Sequence, residues 1–295
     1  MSRVPFDYPS HADDPGEEAL LENAEPATRE DASGAQSIHR AMQVMRILAA
    51  EGEDGLRLTE IALRLQLSYP TAHRILKALE LEGVVERAHG SRRYTIGTEM
   101  MWFGLRASTR FPIKAASAQT LDRLSDEIGD TILLTVRSGH DSVCVDRRAK
   151  SSAVHVTAAA IGSRLPLGVT PGGRAMLAFL PERMSQSIIA ANAPHLDAYN
   201  SSEISVGEYL KATKAKGYGI CEGLTVRETL ALTVPVFDAG GVPVAALSAI
   251  TARRRMPDHR LGEVVRVLSR SAKEISNALL RSNIEKSKLA GLAVG

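Results

Sequence analysis

Hydrophobic residues in the segment 37–97 recur first with the period of helices and then with that of strands. Spacings of three and four residues predict a first helix over Ile38–Ala50. A second, short helix is expected from about Thr59, with Thr59 as its N-cap, and a third over 68–83. Two short β-prone runs around the sequence HGSRR then predict a hairpin with a glycine at its turn.

The third helix has the composition of a helix that contacts nucleic acid. Ser68 is a suitable N-cap, and Pro70 is tolerated because first-turn amides have no intrahelical acceptor. An apolar stripe from Ala72 to Leu79 leaves a polar face and the N-terminus free, and in a helix-turn-helix these parts enter the major groove. The residues predicted to contact DNA are Thr59, Ser68, Tyr69, Thr71, His73, Arg74, Lys77, Arg92 and Arg93, the last two at the hairpin tip with His89.

Charge contributes little to this prediction. Residues 37–97 hold nine basic and seven acidic side chains, a formal charge of +2. A basic helix face or a basic hairpin is, by itself, an ordinary solvated surface. The order helix, helix, turn, helix, hairpin is the feature that predicts a winged helix-turn-helix. Because winged helices also serve in protein–protein contacts, that alternative stays open.

The segments on either side of this module differ from it in composition. Residues 1–36 hold two basic and nine acidic side chains, a charge of −7, with four prolines and no apolar period, which predicts a disordered acidic tail. Residues 98–129 predict linker helices. The apolar side of the first of these helices includes Met101, Trp102 and Leu105. Trp102 and Phe103 either anchor a dimer contact or fill the core.

Residues 130–288 alternate between strands and helices. Hairpin-like pairs of strands interleaved with helices favour an α+β domain around a largely antiparallel sheet, and therefore an α/β two-domain chain. The predicted strands are 131–138, 142–148, 153–159, 217–221, 229–238 and 242–250, and the predicted helices are 173–180, 182–192, 207–216 and one from Asp258 beyond Leu280.

The sequence SRLPLGVTPGGRAMLAFL predicts an anion site at a helix N-terminus. Thr170 caps the helix, Gly172 and Gly173 leave the first amides unobstructed, and Arg174 lies in the first turn. Amides, helix dipole and guanidinium together favour a small carboxylate. The alternative is a tight helix start whose arginine pairs with a structural carboxylate.

Several classes of function are disfavoured by what the sequence lacks. No apolar run reaches the length of a membrane span, and the N-terminus lacks the pattern of a signal peptide. Cys144 and Cys221 form neither a disulfide framework nor a zinc set, so we expect a reducing cytoplasm, no metal and no cofactor. The position of Cys144 in a predicted strand is typical of an inert buried thiol. Because the sequence shows no catalytic motif, an enzyme is the weaker hypothesis.

Over residues 37–282 the chain resembles the IclR family of bacterial transcriptional regulators. The winged-helix motifs are SIHRAMQVMRIL, LTEIALRLQLSYPTAHRILKALELEGVVER and RYTIG, and the later ones are GSRLPLGVTPGGRAMLAFLP, KGYGI and VPVFDAGGVPVAALS. The resemblance implies a GAF-like effector-binding domain, a homodimer or dimer of dimers, and a small organic acid effector. It places the effector near Thr170, Gly172, Gly173, Arg174, Cys221 and Ser248.

The chain departs from the family pattern at positions near this expected site. Arg174 replaces the usual lysine, Cys221 stands in a region that is commonly acidic, and Ala231 replaces a common cysteine. The leading hypothesis is therefore a regulator of double-stranded operator DNA whose effector pocket differs from that of the best-known members. The alternatives are a constitutive DNA-binding protein whose C-terminal domain only oligomerises, and an enzyme that uses the C-terminal pocket.

Overall fold

The structure is a computed structural model, and it describes most of the chain. Side chains are described from residue 35 to residue 282. The backbone is described for residues 29–88, 90–109, 111–150, 160–199, 201–223 and 228–292.

The N-terminal domain consists of three helices and a small antiparallel sheet. The strand order of this sheet is β1-β3-β2, with Leu56 opposite Tyr94 and Val85 opposite Ile96. A short 3₁₀ turn (Gly52–Asp54) separates the first helix from the first strand. The elements are α1 (Arg29–Glu51), β1 (Leu56–Arg57), α2 (Leu58–Arg64), α3 (Tyr69–Leu81), β2 (Val85–Arg87) and β3 (Arg93–Ile96).

One hydrophobic core holds these elements together. Each helix contributes its apolar stripe, and the hairpin adds one residue from each strand. The predicted helix-turn-helix with its wing is therefore confirmed, including Ser68 as the N-cap of α3. The core side chains include Val44, Leu48, Ile61, Leu76, Val85 and Tyr94, all buried.

Two predicted helix starts are wrong. Helix α1 begins at Arg29, inside the predicted tail, instead of at Ile38. Its residues from 35 to 39 are exposed, so the sequence there has no repeat of buried apolar residues that would have predicted the longer helix. Helix α2 begins at Leu58, so Thr59 lies within its first turn and does not cap it. Glu60 takes the capping role from inside the helix, because its carboxylate accepts the backbone N–H of Arg57 at 2.7 Å.

The predicted linker consists of two helices with different surroundings. Helix α4 (Glu99–Ser108) has no buried residue. Helix α5 (Ile113–Ile128), by contrast, buries Leu121 and Leu124 in the C-terminal core. Helix α5 is thus part of the C-terminal domain, because its apolar period faces the sheet.

The C-terminal domain is built on one six-stranded antiparallel sheet of order β6-β5-β4-β9-β8-β7, which confirms the predicted α+β class. The short strand β6 was not predicted, and the predicted strand 153–159 lies outside the described residues. Helices α6, α7 and α8 are longer than predicted. The elements are β4 (Thr131–Ser138), β5 (Asp141–Arg148), β6 (Arg164–Pro166), α6 (Pro171–Phe179), α7 (Glu182–Leu196), α8 (Glu203–Lys216), β7 (Gly219–Glu222), β8 (Thr229–Phe237), β9 (Pro243–Ala252) and α9 (Asp258–Leu292), with 3₁₀ turns at Asp197–Tyr199 and Arg253–Arg255.

The two faces of the sheet carry different layers. Alternate residues point to opposite faces, so Leu134 packs with α5 and α9 while Leu133 lies on the other face. Helix α6 covers that second face and lies against β4, β8 and β9. Within the described ranges, none of the helices combines the length and the apolar character needed to cross a membrane.

A buried carboxylate joins the helix layer to the sheet. Asp130 is fully buried at the start of β4, and its two oxygens form ion pairs with Arg255 and Arg260, each at 3.1 Å. The same guanidinium groups donate to the carbonyls of Gly129 and Ile128 at the end of α5, at 3.2 and 2.6 Å. These contacts satisfy the orphan carbonyls of a helix end.

We predict that Asp130→Asn lowers the free energy of unfolding of the C-terminal domain by about 3 kcal/mol or more, because two arginines lose a buried partner. The control is Asp126→Asn, which removes an exposed ion pair with Lys150 (3.0 Å) and should cost less than about 1 kcal/mol. Urea unfolding followed by circular dichroism measures both. Equal effects of the two substitutions would show that the Asp130 cluster is dispensable.

Candidate DNA interface and ligand pocket

Helix α3 presents its predicted DNA-contacting side chains to solvent. Tyr69 is 57% exposed, and His73, Arg74 and Lys77 are exposed along the outer face. Thr71 differs from these residues. It is half-buried, and its backbone N–H and hydroxyl meet the Ser68 hydroxyl at 3.4 and 2.8 Å, so this pair holds the helix start.

A basic groove lies between α3 and the hairpin. It has a volume of about 760 Å³. Tyr69 and His73 of α3 line it, together with Thr59 of α2. The groove is therefore a concave, cationic surface beside the exposed helix. Surfaces of this kind bind the phosphate backbone of DNA. Its arginines are Arg57, Arg87, Arg92 and Arg93.

The structure places Arg93 differently from the sequence prediction. Arg93 is the first residue of β3 and not part of the hairpin tip, which carries Arg92. Its guanidinium donates to the carbonyl of Gly55 at 2.8 Å and forms an ion pair with Glu60 at 3.5 Å. The backbone hydrogen bond from Arg57 lowers the pKa of Glu60, and the Arg93 charge lowers it further. Arg93 thus ties the wing to α2, and His89 lies outside the described residues.

Sequence reasoning missed two arginines of this groove. Arg57 directly precedes α2, and Arg87 is the last residue of β2. For Arg87, the alternation of buried and exposed residues along the strand was the only signal in the sequence that could have indicated an exposed side chain. Arg87 forms an ion pair with Glu80 at 3.2 Å and lies over the Tyr94 ring, 5.1 Å from its centroid. These contacts orient the Arg87 guanidinium at the groove wall.

A second, much smaller cavity lies in the C-terminal domain. It lies between the first turn of α6 and the sheet face that α6 covers, and its volume is about 30 Å³. Three of the predicted ligand residues line it: Thr170, Gly172 and Ser248. The lining also contains the hydroxyl-bearing residues Thr135, Ser142 and Ser163, which sequence reasoning did not single out.

The predicted N-cap of α6 is present, and Gly172 has a packing role in addition to the predicted one. Thr170 accepts the Gly173 N–H at 2.9 Å, and its hydroxyl also meets that of Ser142 at 2.9 Å. A Cβ atom on Gly172 would lie 2.9 Å from both Cβ and Oγ1 of Thr135. Gly172 therefore allows α6 to approach strand β4 closely, a packing role that sequence reasoning did not foresee.

Arg174 points away from this cavity. It is 7% exposed, and its guanidinium donates to the Gly168 carbonyl at 2.7 Å and to the Ser201 hydroxyl at 2.6 Å. It also lies over the Tyr209 ring, 5.4 Å from the centroid. The alternative of a carboxylate partner is not what the structure shows, since these partners are neutral. The predicted ligand residues thus divide into two groups. Thr170, Gly172 and Ser248 line the cavity, and the second group surrounds Arg174.

Cys221 belongs to the Arg174 group and is buried. Burial raises the pKa of the Cys221 thiol, and the Tyr209 hydroxyl and the Arg174 charge offset this effect only in part. Burial also raises the pKa of Cys144 to about 11. Both thiols are therefore protonated near neutral pH, as expected of inert buried cysteines. Among the described residues, no three His, Cys, Asp or Glu side chains form a group that could hold a metal ion.

A winged helix-turn-helix followed by this α+β domain defines a two-domain transcriptional regulator. The N-terminal residues 37–89 match the family profile described as IclR helix-turn-helix domain. Residues 105–277 match the profile described as Bacterial transcriptional regulator IclR C-terminal. The chain belongs to the IclR family of DNA-binding transcriptional regulators.

Individual relatives agree with this assignment. The chain is 30% identical over 240 residues to the probable transcriptional regulator SauR of Cupriavidus necator, covering 80% of this chain and 94% of that protein. It is 25% identical over 247 residues to the transcriptional repressor IclR of Escherichia coli, covering 82% and 89%.

Solved structures show the same fold. An IclR transcriptional regulator from Alicyclobacillus acidocaldarius matches with a TM-score of 0.69 and 25% identity, covering 83% of this chain and 98% of that one. An IclR homologue from Microbacterium hydrocarbonoxydans, solved in complex with 4-hydroxybenzoate, matches with a TM-score of 0.67 and 20% identity, covering 82% and 98%. At this identity the second likeness supports the fold alone.

We predict that Gly172→Ala lowers the free energy of unfolding by about 1–3 kcal/mol, because the new methyl group overpacks the contact between α6 and Thr135. The matched control is Gly207→Ala in α8, where no atom lies within 4 Å of the new Cβ; it should stabilise the helix by about 0.5–1 kcal/mol. Thermal unfolding of both variants tests this. Similar stability of the two would mean that α6 adjusts without cost.

Proposed function

We propose that this IclR-type regulator binds double-stranded operator DNA through α3 and the basic groove, and that a small organic acid modulates its affinity. The observation that carries the first part is the position of exposed Arg74 and Lys77 on a helix that borders the groove containing Arg92. A helix that reads bases and a cationic wall that holds phosphates are both needed for specific binding.

Each side chain has a role that follows from its chemistry. Arg74 reads guanine through two parallel hydrogen bonds, and Lys77 binds phosphate as a point charge. Tyr69, at the N-terminus of α3, contacts bases or the backbone. Arg92 on the wing, together with Arg57 and other groove arginines, contacts phosphate or the minor groove.

We further propose that α4 forms the contact of a homodimer or of a dimer of dimers. Four of its apolar side chains are each more than half exposed in the single chain, which supports an interface in preference to a core position. Apolar clusters of this kind on one element are typical of interfaces, and large aromatic residues contribute most to their stability. The four residues are Met101, Trp102, Phe103 and Leu105.

Two observations bear on effector control, and they point in different directions. The cavity beside the first turn of α6 has the helix dipole and the hydroxyls of Ser142 and Ser248 around it, which favours an anionic or polar ligand. Its volume of about 30 Å³ accommodates about one water molecule, which favours the second candidate, a constitutive DNA-binding protein. Binding of a carboxylate to the intact chain separates the two. For both candidates, the effector-controlled and the constitutive regulator, we propose a regulatory role without enzymatic activity and a protein located in the cytoplasm.

The DNA-binding proposal predicts different outcomes for a base-reading and a phosphate-binding arginine. Arg74→Ala should weaken binding to the operator about 10- to 100-fold and change binding to random duplex little, because it removes a base contact. Arg92→Ala should weaken both duplexes similarly and reduce the dependence of log affinity on log salt by about one unit. Fluorescence anisotropy with the DNA upstream of its own gene, across salt concentrations, measures both.

Arg266→Ala, on the exposed face of α9 in the other domain, serves as the control and should leave binding unchanged. If the unmodified protein binds operator and random duplex equally at every salt concentration, sequence-specific binding is refuted.

The dimer proposal predicts that Trp102→Asp weakens self-association by about 30-fold or more, because a charge replaces an aromatic anchor. Sedimentation velocity over a range of concentrations measures the shift to monomer. Ile204→Asp in α8 changes an equally apolar, 76% exposed residue and should leave the dimer intact. A monomeric unmodified protein at high concentration would contradict the proposal.

A further inference from the structure

Arg147 at the end of β5 has an unsatisfied buried donor. Among the residues that the structure describes, its Nε is the one buried side-chain nitrogen without a hydrogen-bond partner. The neighbouring Arg148 shows the contrast, since it forms ion pairs with Asp122 and Asp146. A buried N–H group of a cation is costly to leave unpaired, so such an atom calls for a partner that the protein does not itself supply.

The register of the sheet places Arg147 in one row with the ligand cavity. Arg147 is opposite Leu133 on β4, and Leu133 is opposite Ser248 on β9. Residues directly opposite each other in antiparallel strands share a face, and Leu133 and Ser248 both line the cavity. The positive charge of Arg147 also acts on the neighbouring Cys144, where it partly offsets the rise of the thiol pKa caused by burial.

This row has a polar–apolar–polar order. Arg147 supplies a cation at one end, Leu133 an apolar surface in the middle, and Ser248 a hydroxyl at the other end, where it meets Thr233 at 2.9 Å. Two strand separations, about 10 Å, divide the two polar residues. A molecule that matches this row has an acid group and a second polar group on opposite sides of an apolar spacer.

The arginine expected to bind the acid is already occupied. The Arg174 guanidinium donates to the Gly168 carbonyl and to the Ser201 hydroxyl. Of the two arginines, Arg147 is therefore the one with donor capacity to offer a ligand on this face of the sheet.

We propose that Arg147 binds the carboxylate of the effector, with Leu133 against its apolar middle and Ser248 and the Gly172 amide at its far polar group. This inference rests on the proposed effector control. It names the ligand class as small hydroxy or oxo acids with an apolar spacer, of which a para-substituted aromatic acid has a suitable length.

The test compares three probes that differ by one group each. 4-Hydroxybenzoate carries both polar ends, 4-hydroxybenzyl alcohol lacks the carboxylate, and benzoate lacks the hydroxyl. Isothermal titration calorimetry of 4-hydroxybenzoate and of 4-hydroxybenzyl alcohol, each with the full chain and with Arg147→Gln, gives the four affinities of a thermodynamic cycle between protein and ligand. The unmodified protein should prefer 4-hydroxybenzoate to the alcohol, and Arg147→Gln should bind 4-hydroxybenzoate about tenfold or more weakly and no longer discriminate between the two.

Two further variants separate a ligand contact from a structural role. Ser248→Ala should lose the preference for 4-hydroxybenzoate over benzoate and keep the preference for acid over alcohol. Arg266→Gln, which removes an exposed arginine on α9, should bind all three probes as the unmodified protein does. Thermal unfolding without ligand confirms that each variant is folded.

The possible results lead to different conclusions. If the unmodified protein prefers the acids and Arg147→Gln retains that preference, the assignment of Arg147 is overturned and effector control stands. An equal loss for acid and alcohol in Arg147→Gln indicates a structural role and also overturns it. If the unmodified protein binds none of the probes at millimolar concentration, the proposed ligand class is wrong, while the DNA-binding experiment still decides the regulator function independently.

Discussion

Helix α6 lies so close to strand β4 that a single additional carbon atom at Gly172 would collide with Thr135. Eight of the nine residues of this helix are buried, so its position is fixed by contacts on every side. Gly172 and Thr135 both line the small cavity at the first turn of the helix, so their close approach limits its size, while Arg174 in the same turn donates to Gly168 and Ser201. Any ligand larger than a water molecule must therefore displace α6 or its neighbours when it binds in this cavity.

Strand β4 connects this constraint to the rest of the domain. Leu133 faces the cavity, while the next residue, Leu134, packs in the core shared with α5 and α9. Asp130 at the start of the same strand holds two arginines that also bind the end of α5. Because α5 follows α4 and the winged helix in the chain, a displacement that moves α5 would act on the DNA-binding domain through the chain connection that α4 provides, a helix with no buried residue. This arrangement gives the proposed effector control a physical route.

Sequence reasoning was accurate where one local pattern decides the structure. The apolar stripe of α3 and the Ser68 cap depend on neighbours within four residues, and both are present. It did not foresee that Arg93 also ties the wing to α2, because its partners Gly55 and Glu60 lie more than thirty residues away along the chain. The proposed role of Arg147 was not found from the sequence for the same reason, since its place in one row with Leu133 and Ser248 follows from strand pairing.

The sequence alone determined the winged helix-turn-helix, the α+β class of the second domain and the family, because helical and strand periods and short motifs are local properties. Only the tertiary structure decided which polar groups are already satisfied. Arg174 and Gly172 carry the chemistry expected of an anion site, yet one is bonded to Ser201 and the other serves close packing against Thr135. A side chain's capacity to bind a ligand depends on the donors and acceptors that folding brings to it, and these come from distant parts of the chain.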